Sequence, residues 1–326
     1  MPPGETEVVK ISGPNFREFD IVKETPAEMP ATIQRPDVKF RLKFSDLWEN
    51  PELVLTNMAP SWLLKAGSAI PEFLLGKFPY IQAVTLLMLL AERALKMEKY
   101  PPMHPYIIYA VSGLCLLSGV MFTAKIKVKH ASLIYCLVLA YLAVNAYTNK
   151  QFNYSRHVRN RLSSRHLGCL GLYILYAFMK SGRESKLMQR VGELCLATYL
   201  CAQAYLLNES YEDKKAIDEL VPGGIYARYV FTLLFACAGL CFIAGYFLKD
   251  ISLTVAFVVS IYIILVDMKF WFWQYRGTSY WNQVRLLIDN VNIVAGFFLL
   301  MNHYENLTEK DQDEGDANEE DREKQD

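Results

Sequence analysis

The chain holds 326 residues, with 34 basic and 34 acidic side chains and 52% hydrophobic residues. That even balance sums unlike parts: residues 1–72 carry 8 basic and 11 acidic groups, residues 302–326 carry 3 and 11, and the 229 between carry 23 and 12, a net +11. Acidic ends around a basic, apolar middle exclude a single soluble globule, and they exclude a usual DNA-binding domain, whose basic residues would form one continuous patch.

The first 72 residues show no basic start, apolar core and small-residue cleavage site, so no signal peptide is expected. Val38, Phe40, Leu42 and Phe44 alternate with Lys39, Arg41 and Lys43, which predicts a short extended segment with one apolar face. It would lie on the membrane surface, on a partner or on its own protein. The run from Trp62 to Leu75, with Lys65 and Lys77, reads as an interfacial segment near 61–77 approaching the first span.

Eight apolar stretches then approach the roughly 20 residues that cross a bilayer: 78–96, 104–124, 131–149, 162–180, 188–207, 225–248, 250–270 and 281–301. Each is expected to be helical, because an isolated strand in lipid leaves its backbone unpaired and the runs lack the alternation of a barrel. The fourth has the shortest apolar core, Leu167 to Met179. Pro222-Gly223-Gly224 should stop one helix and let the next begin. After Met301 the tail is acidic without apolar periodicity and is expected to stay disordered. The expected organisation is a polar extension over 1–72, a membrane domain over 73–301 and an acidic tail over 302–326. The fold class is an all-α, polytopic membrane helical bundle of eight transmembrane helices.

Eight spans place both ends on one side. Basic residues near the membrane are nearly equal in number on the two sides, so the positive-inside rule does not decide. Cytoplasmic termini are favoured because a long polar leader without a signal sequence is not easily translocated. The sequons at Asn153 and Asn208 lie opposite the termini and agree, whereas the one at Asn306 does not. All seven cysteines fall inside spans and read as packing residues; Cys237, Cys241 and Gly245 form a small-residue stripe suited to close helix contact. Ser118-Gly119 matches Ala244-Gly245, and Val158-Arg159 matches Val284-Arg285, at a common offset of 126. This suggests two tandem four-helix halves, 73–180 and 181–301, related by an axis along the membrane normal.

Charge at membrane depth costs roughly 2.5–3.5 kcal/mol per group, so such groups face inward. In the last span Asn282, Arg285, Asp289, Asn292 and Gly296 share one face, and Arg285 and Asp289 can pair one turn apart. Arg190 and Glu193 stand three apart, Asp267 and Lys269 close the seventh span, and Glu92-Arg93 close the first. Interhelical glue is the plainer reading, at about 1 kcal/mol or less per contact; a cavity for a proton, ion or small solute is the alternative, with Glu193, Asp267, Arg285 and Asp289 lining it. Trp271, Trp273 and Trp281, among Phe270, Phe272, Tyr275 and Tyr280, read as an interfacial aromatic belt. The five histidines lack ligand spacing, and His157 and His166 read as solvated or near lipid phosphate. No hydrolase, zincin, phosphate-loop or dinucleotide motif occurs, so neither enzyme chemistry nor a cofactor or metal is expected.

Several segments, in order, carry a family likeness: Leu-Met-Leu-Leu-Ala-Glu-Arg (87–93), Tyr199-Leu200 with Ala204-Tyr205, Leu-Val-Pro-Gly-Gly (220–224), Leu265-Val266-Asp267, and Trp-Asn-Gln-Val-Arg-Leu-Leu (281–287). Over about residues 80–301 the chain resembles the transmembrane protein 101 family. The resemblance implies a multi-pass membrane protein linked to activation of NF-kappa-B signalling, without assigned active-site residues. Glu92, Arg93, Asp267, Trp281, Asn282 and Gln283 match the family pattern and are candidates on that ground. The expected function is a non-enzymatic scaffold or signalling component. The alternative is a carrier for a small solute, proton or lipid that uses the polar face of the last helix. Expected partners are the lipid bilayer and proteins bound through the N-terminal extension or the acidic tail, with no nucleic acid.

Overall fold

The computed structural model describes residues 61–95, 105–148, 155–182 and 185–323. The expected extended segment at 38–44 and the rest of the leader to residue 60 lie outside them. Ten α-helices occur among the described residues: α1 Ser61–Leu95, α2 Pro105–Thr123, α3 Val128–Thr148, α4 Arg156–Lys180, α5 Lys186–Glu209, α6 Tyr211–Leu220, α7 Ile225–Ala244, α8 Leu248–Tyr262, α9 Phe270–Tyr275 and α10 Tyr280–Glu323. Ile263–Asp267 continues α8 as a π-helical turn, and no strand occurs among the described residues.

Among the described residues, six stretches are long and apolar enough to cross a membrane: Ala69–Leu95, Pro105–Thr123, Val128–Thr148, Ile225–Ala244, Leu248–Asp267 and Tyr280–Leu307. Two of the eight expected stretches, 162–180 and 188–207, form helices but do not reach that hydropathy. Helix α4 is 25 residues long and opens on Arg156, Arg159, Arg161, Arg165 and His166; α5 is 24 residues long and carries Gln189, Arg190, Glu193 and Gln203.

The segment expected to lie in the interface at 61–77 is continuous with the first span. Helix α1 runs without a break through Pro71 and Pro79 and buries Leu75 and Phe78. Residues 211–220, between the expected fifth and sixth spans, form α6. Ser210 caps it by accepting from the Asp213 N–H, and Glu212 and Asp213 favour its positive end. Gly223 and Gly224 then turn with φ of 96° and 49°, as the glycines suggested. The tail expected to be disordered is helical as far as Glu323. It extends a helix already nucleated by packing, and Glu, Lys, Gln and Ala propagate a helix at little cost.

The long helices pack in a closed ring, α1–α2–α3–α4–α5–α7–α8–α10 and back to α1, and α4 meets α10 across the middle. Short α6 lies against α5, α7 and the π turn, while α9 touches α10. Glycine permits the closest crossing: a Cβ on Gly171 would stand 2.9 Å from the Gly192 carbonyl oxygen, so α4 and α5 touch backbone to backbone. A Cβ on Gly239 would stand 2.7 Å from Cys201 Sγ, so Gly239 brings α7 onto α5. The stripe expected to do this does not: Cys237 is exposed, Cys241 half-buried, and Gly245 ends α7 in a left-handed turn.

Candidate functional site

The polar groups of the bundle interior gather where α4 faces α10. Asp267 ends the π turn fully buried. One carboxylate oxygen accepts from Arg161 Nη2 at 2.7 Å and from Arg165 Nη2 at 3.0 Å; the other accepts from Asn290 Nδ2 at 2.5 Å. Its backbone carbonyl accepts from Gln283 Nε2 at 2.7 Å. Arg161 also reaches Asp213 of α6 at 3.4 Å and lies 3.9 Å over the ring of Trp273. Arg165 donates to the Leu286 carbonyl at 2.6 Å. Two arginines, two acids and an aromatic lid thus meet in one buried group, with opposite charges in contact. This is the arrangement that lets charge persist at low dielectric.

The π turn has a visible purpose here. Met268 N–H bonds to the Ile263 carbonyl, five residues back. One extra residue in a turn swings the downstream residues by about 100°, and in this register Asp267 reaches α4. Trp273 Nε1 donates to the Val266 carbonyl at 3.0 Å, which holds the end of the turn.

A second group lies beside the first, with different bonding. His166 Nδ1 is 2.6 Å from the Leu162 carbonyl, which can only accept, so Nδ1 carries the proton. Nε2 faces Arg285 Nη2 at 3.4 Å, and because a guanidinium can only donate, Nε2 accepts; Gln82 Nε2 stands at the same distance. Asp289 is fully buried, yet neither of its carboxylate oxygens has a hydrogen-bond partner. His166 Nδ1 stands 3.9 Å away with its proton committed to Leu162. Cys169 donates to the Asp289 carbonyl and accepts from Asn292 Nδ2 at 3.4 Å. Gln82 Oε1 and Asn292 Oδ1 are buried without partners too, as are the Ser112 and Tyr135 hydroxyls.

The sequence candidates divide accordingly. Asp267, Gln283, Arg285, Asp289 and Asn292 come together at the α4–α10 contact. Arg285 and Asp289 do not pair: Arg285 turns to His166 instead. Asn282 is buried with an unpartnered Oδ1. Glu193 is buried at the other end of α5, where it accepts from Gln189 at 2.8 Å, Arg190 at 3.0 Å and Tyr304 at 3.1 Å; it does not join Asp267 and Asp289. Glu92 and Arg93 lie in the last turn of α1, where Arg93 is buried. Trp271 is exposed and Trp281 half-buried, but Trp273, expected in the aromatic belt, is fully buried beneath Arg161. His166, expected in solvent, is fully buried, and His157 is half-buried, 3.4 Å from the Thr278 hydroxyl. The Asn208 amide spends its donors on the Ala204 carbonyl and the Thr232 hydroxyl, joining α5 to α7.

Gln82, Arg161, Arg165, His166, Asp213 and Asn290 were not anticipated as site residues. Arg161, Arg165, Gly168 and Leu172 repeat at helical spacing, a signal that a helix starting earlier than the apolar run would have exposed.

No solved structure matches the chain. The sequence model described as the TMEM101 protein family matches residues 61–303, which starts earlier than the likeness read from the motifs and spans the whole ring. The chain therefore belongs to the TMEM101 protein family.

Proposed function

We propose that this protein is a non-enzymatic, eight-span membrane protein that binds a small polar solute between α1, α4 and α10, while the Asp267 network acts as structural glue. The observation that carries the proposal is Asp289, a fully buried carboxylate with no hydrogen bond. Leaving a buried polar group unsatisfied costs about 1–3 kcal/mol, and more for a charged one. A guest that donates to it removes that cost. The test compares Asp289→Asn with Asp267→Asn in the full chain. Asp267→Asn should lower membrane yield and thermal stability, because it strands Arg161 and Arg165 and breaks three side-chain hydrogen bonds, while Asp289→Asn, which breaks none, should lower both clearly less. Equal loss of stability in the two variants would put Asp289 with the glue and sink the solute site.

Eight spans require α4 and α5 to cross as well. Their lengths suffice, and their polar faces point at protein: Arg161, Arg165, His166, Glu193 and Gln203 are all buried. Two tandem halves are supported by burial that repeats along the chain. Leu75, Gln82, Ala83 and Leu86 recur 121 residues on as Leu196, Gln203, Ala204 and Leu207; Gly119, Phe122, Ser132 and Leu139 recur 120 on as Gly239, Phe242, Ser252 and Val259; Arg161, Leu162 and Tyr173 recur 124 on as Arg285, Leu286 and Phe297. The turns repeat too, with positive φ at Lys125 and Lys127 and again at Gly245 and Phe247. This register replaces the offset of 126, which had paired Gly119 with Gly245 and Arg159 with Arg285. Cytoplasmic termini gain support because the opposite side loses much of its apparent positive charge: Arg161, Arg165 and Arg285 are buried, and Arg228 and Arg276 pair with acids of α6. Lys125, Lys127 and Lys186, on the side of the termini, are exposed.

The scaffold reading, with the NF-kappa-B link implied by the family resemblance and protein partners on the N-terminal extension or acidic tail, is favoured by one observation. Both carboxylate oxygens of Asp267 are bonded to side chains of the bundle, as in a protein whose interior charges hold it together.

A further inference from the structure

Resting on the solute-binding reading above, we infer that the Asp289 site takes an uncharged solute that donates hydrogen bonds through hydroxyl or amide N–H groups. The orientation of each amide around it is dictated by its partner. Gln82 must present Nε2 to His166, because the histidine proton is held at Nδ1 by the Leu162 carbonyl. Asn292 must present Nδ2 to Cys169, whose thiol hydrogen goes to the Asp289 carbonyl. Each side chain therefore turns a donor into the protein and leaves its carbonyl oxygen bare. With both Asp289 oxygens, four unmet acceptors stand against one unmet donor, Arg285 Nε. The Tyr135 and Ser112 hydroxyls, also unpartnered, can serve either way. The unmet groups call for a donor-rich guest.

Charge decides the rest. Arginine keeps its proton at any ordinary pH. Asp213 and Asp267 balance Arg161 and Arg165 through the contacts already described, which leaves Asp289, one turn along α10, as the counter-charge for Arg285. His166, held as the neutral tautomer, adds nothing. The cluster sums to zero with Asp289 ionised and empty-handed. A cationic guest would leave it net positive in a low-dielectric interior, and an anionic guest would face the bare acceptors. A neutral donor solute satisfies the oxygens and keeps the balance.

The test is equilibrium binding to the full chain in lipid nanodiscs, using radiolabelled erythritol as the hydroxyl probe and acetamide as the amide probe. Methylammonium and acetate serve as charged probes of similar size. At least one neutral probe should bind, and the better of the two names the donor type. Asp289→Asn and Gln82→Met should each weaken it about tenfold or more; Gln82→Met keeps the volume and guards against a fold defect in the first variant. Binding of methylammonium or acetate without either neutral probe would overturn the inference but leave the solute site standing. Neutral binding unchanged in both variants would place it elsewhere and overturn the inference. Binding of no probe at all would overturn both.

Discussion

At the scale of single residues, Asp267 is the pivot of the paired network. Replacing it with Asn keeps the shape but leaves Arg161 and Arg165 without their shared counter-charge. Breaking a buried pair from one side costs about 3–5 kcal/mol. A loss of that order in detergent unfolding is expected for Asp267→Asn. Arg161→Lys should also destabilise, though less, since an ammonium cannot span Asp213, Asp267 and the Trp273 face together. A double substitution with Asp267→Asn should cost less than the sum of the two singles, and additivity would mean that the two do not act on each other. Much of this site was legible. Asp267, Gln283, Arg285, Asp289 and Asn292 stood out because charge and amide inside apolar runs must face protein. The hidden part was on α4, where Arg161 precedes the expected span and Arg165 and His166 precede its apolar core, so none stood out as charge inside an apolar run. Trp273 misled for a related reason: an aromatic beside a span end resembles a belt residue, and only its stacking beneath a buried arginine sets it apart. The amide of Gln82 was invisible because one neutral polar group in a span carries no signal until its partner is known.

At the scale of elements, the α4–α5 contact depends on side chains that are missing. A methyl on Gly192 would meet Leu175 Cγ at 2.6 Å and the Gly171 carbonyl oxygen at 3.1 Å. Gly192→Ala should therefore cost about 1–3 kcal/mol by overpacking, read as a lower unfolding temperature in nanodiscs. Gly113→Ala, on a helix face with nothing within 4 Å, is the control and should be neutral. The π turn makes a sharper prediction. Deleting Leu265 should let the segment relax to an ordinary α-helix and rotate Asp267 away from Arg161 and Arg165. Its stability should fall to that of Asp267→Asn or below, and adding Asp267→Asn to the deletion should then cost little more. A deletion variant as stable as wild type would show that the turn does not aim the carboxylate. Six of the eight expected spans were readable from hydropathy, but neither the π turn nor α6 was, because both are set by contacts with other helices rather than by local pattern.

At the scale of the whole molecule, the eight-span reading and a six-span reading place one residue on opposite faces of the membrane. Lys127 lies between α2 and α3, Lys186 opens α5, and Lys214 lies on α6. If α4 and α5 both cross, Lys186 returns to the face of Lys127. If neither crosses, the chain after α3 stays on the far face until α7, and Lys186 lies with Lys214. The physical argument favours crossing. Lying outside the bilayer, α4 would carry Arg161, Arg165 and His166 out of the ring, yet each is buried, and Arg165 and His166 contact α10, which is long and apolar enough to cross. The ring is also closed by α3–α4, α4–α5 and α5–α7 contacts along the lengths of these helices, which requires them to run alongside the apolar ones. Single cysteines placed at 127, 186 and 214 in a cysteine-free background would report this directly through labelling with a membrane-impermeant maleimide. Labelling of 127 and 186 from the cytoplasmic face, with 214 labelled from the other, is the expected pattern. Position 186 reacting together with 214 would reduce the count to six. All three reacting as expected but with the faces exchanged would keep eight spans and reverse the orientation, and the burial of the arginines would then no longer explain which side of the membrane holds the termini.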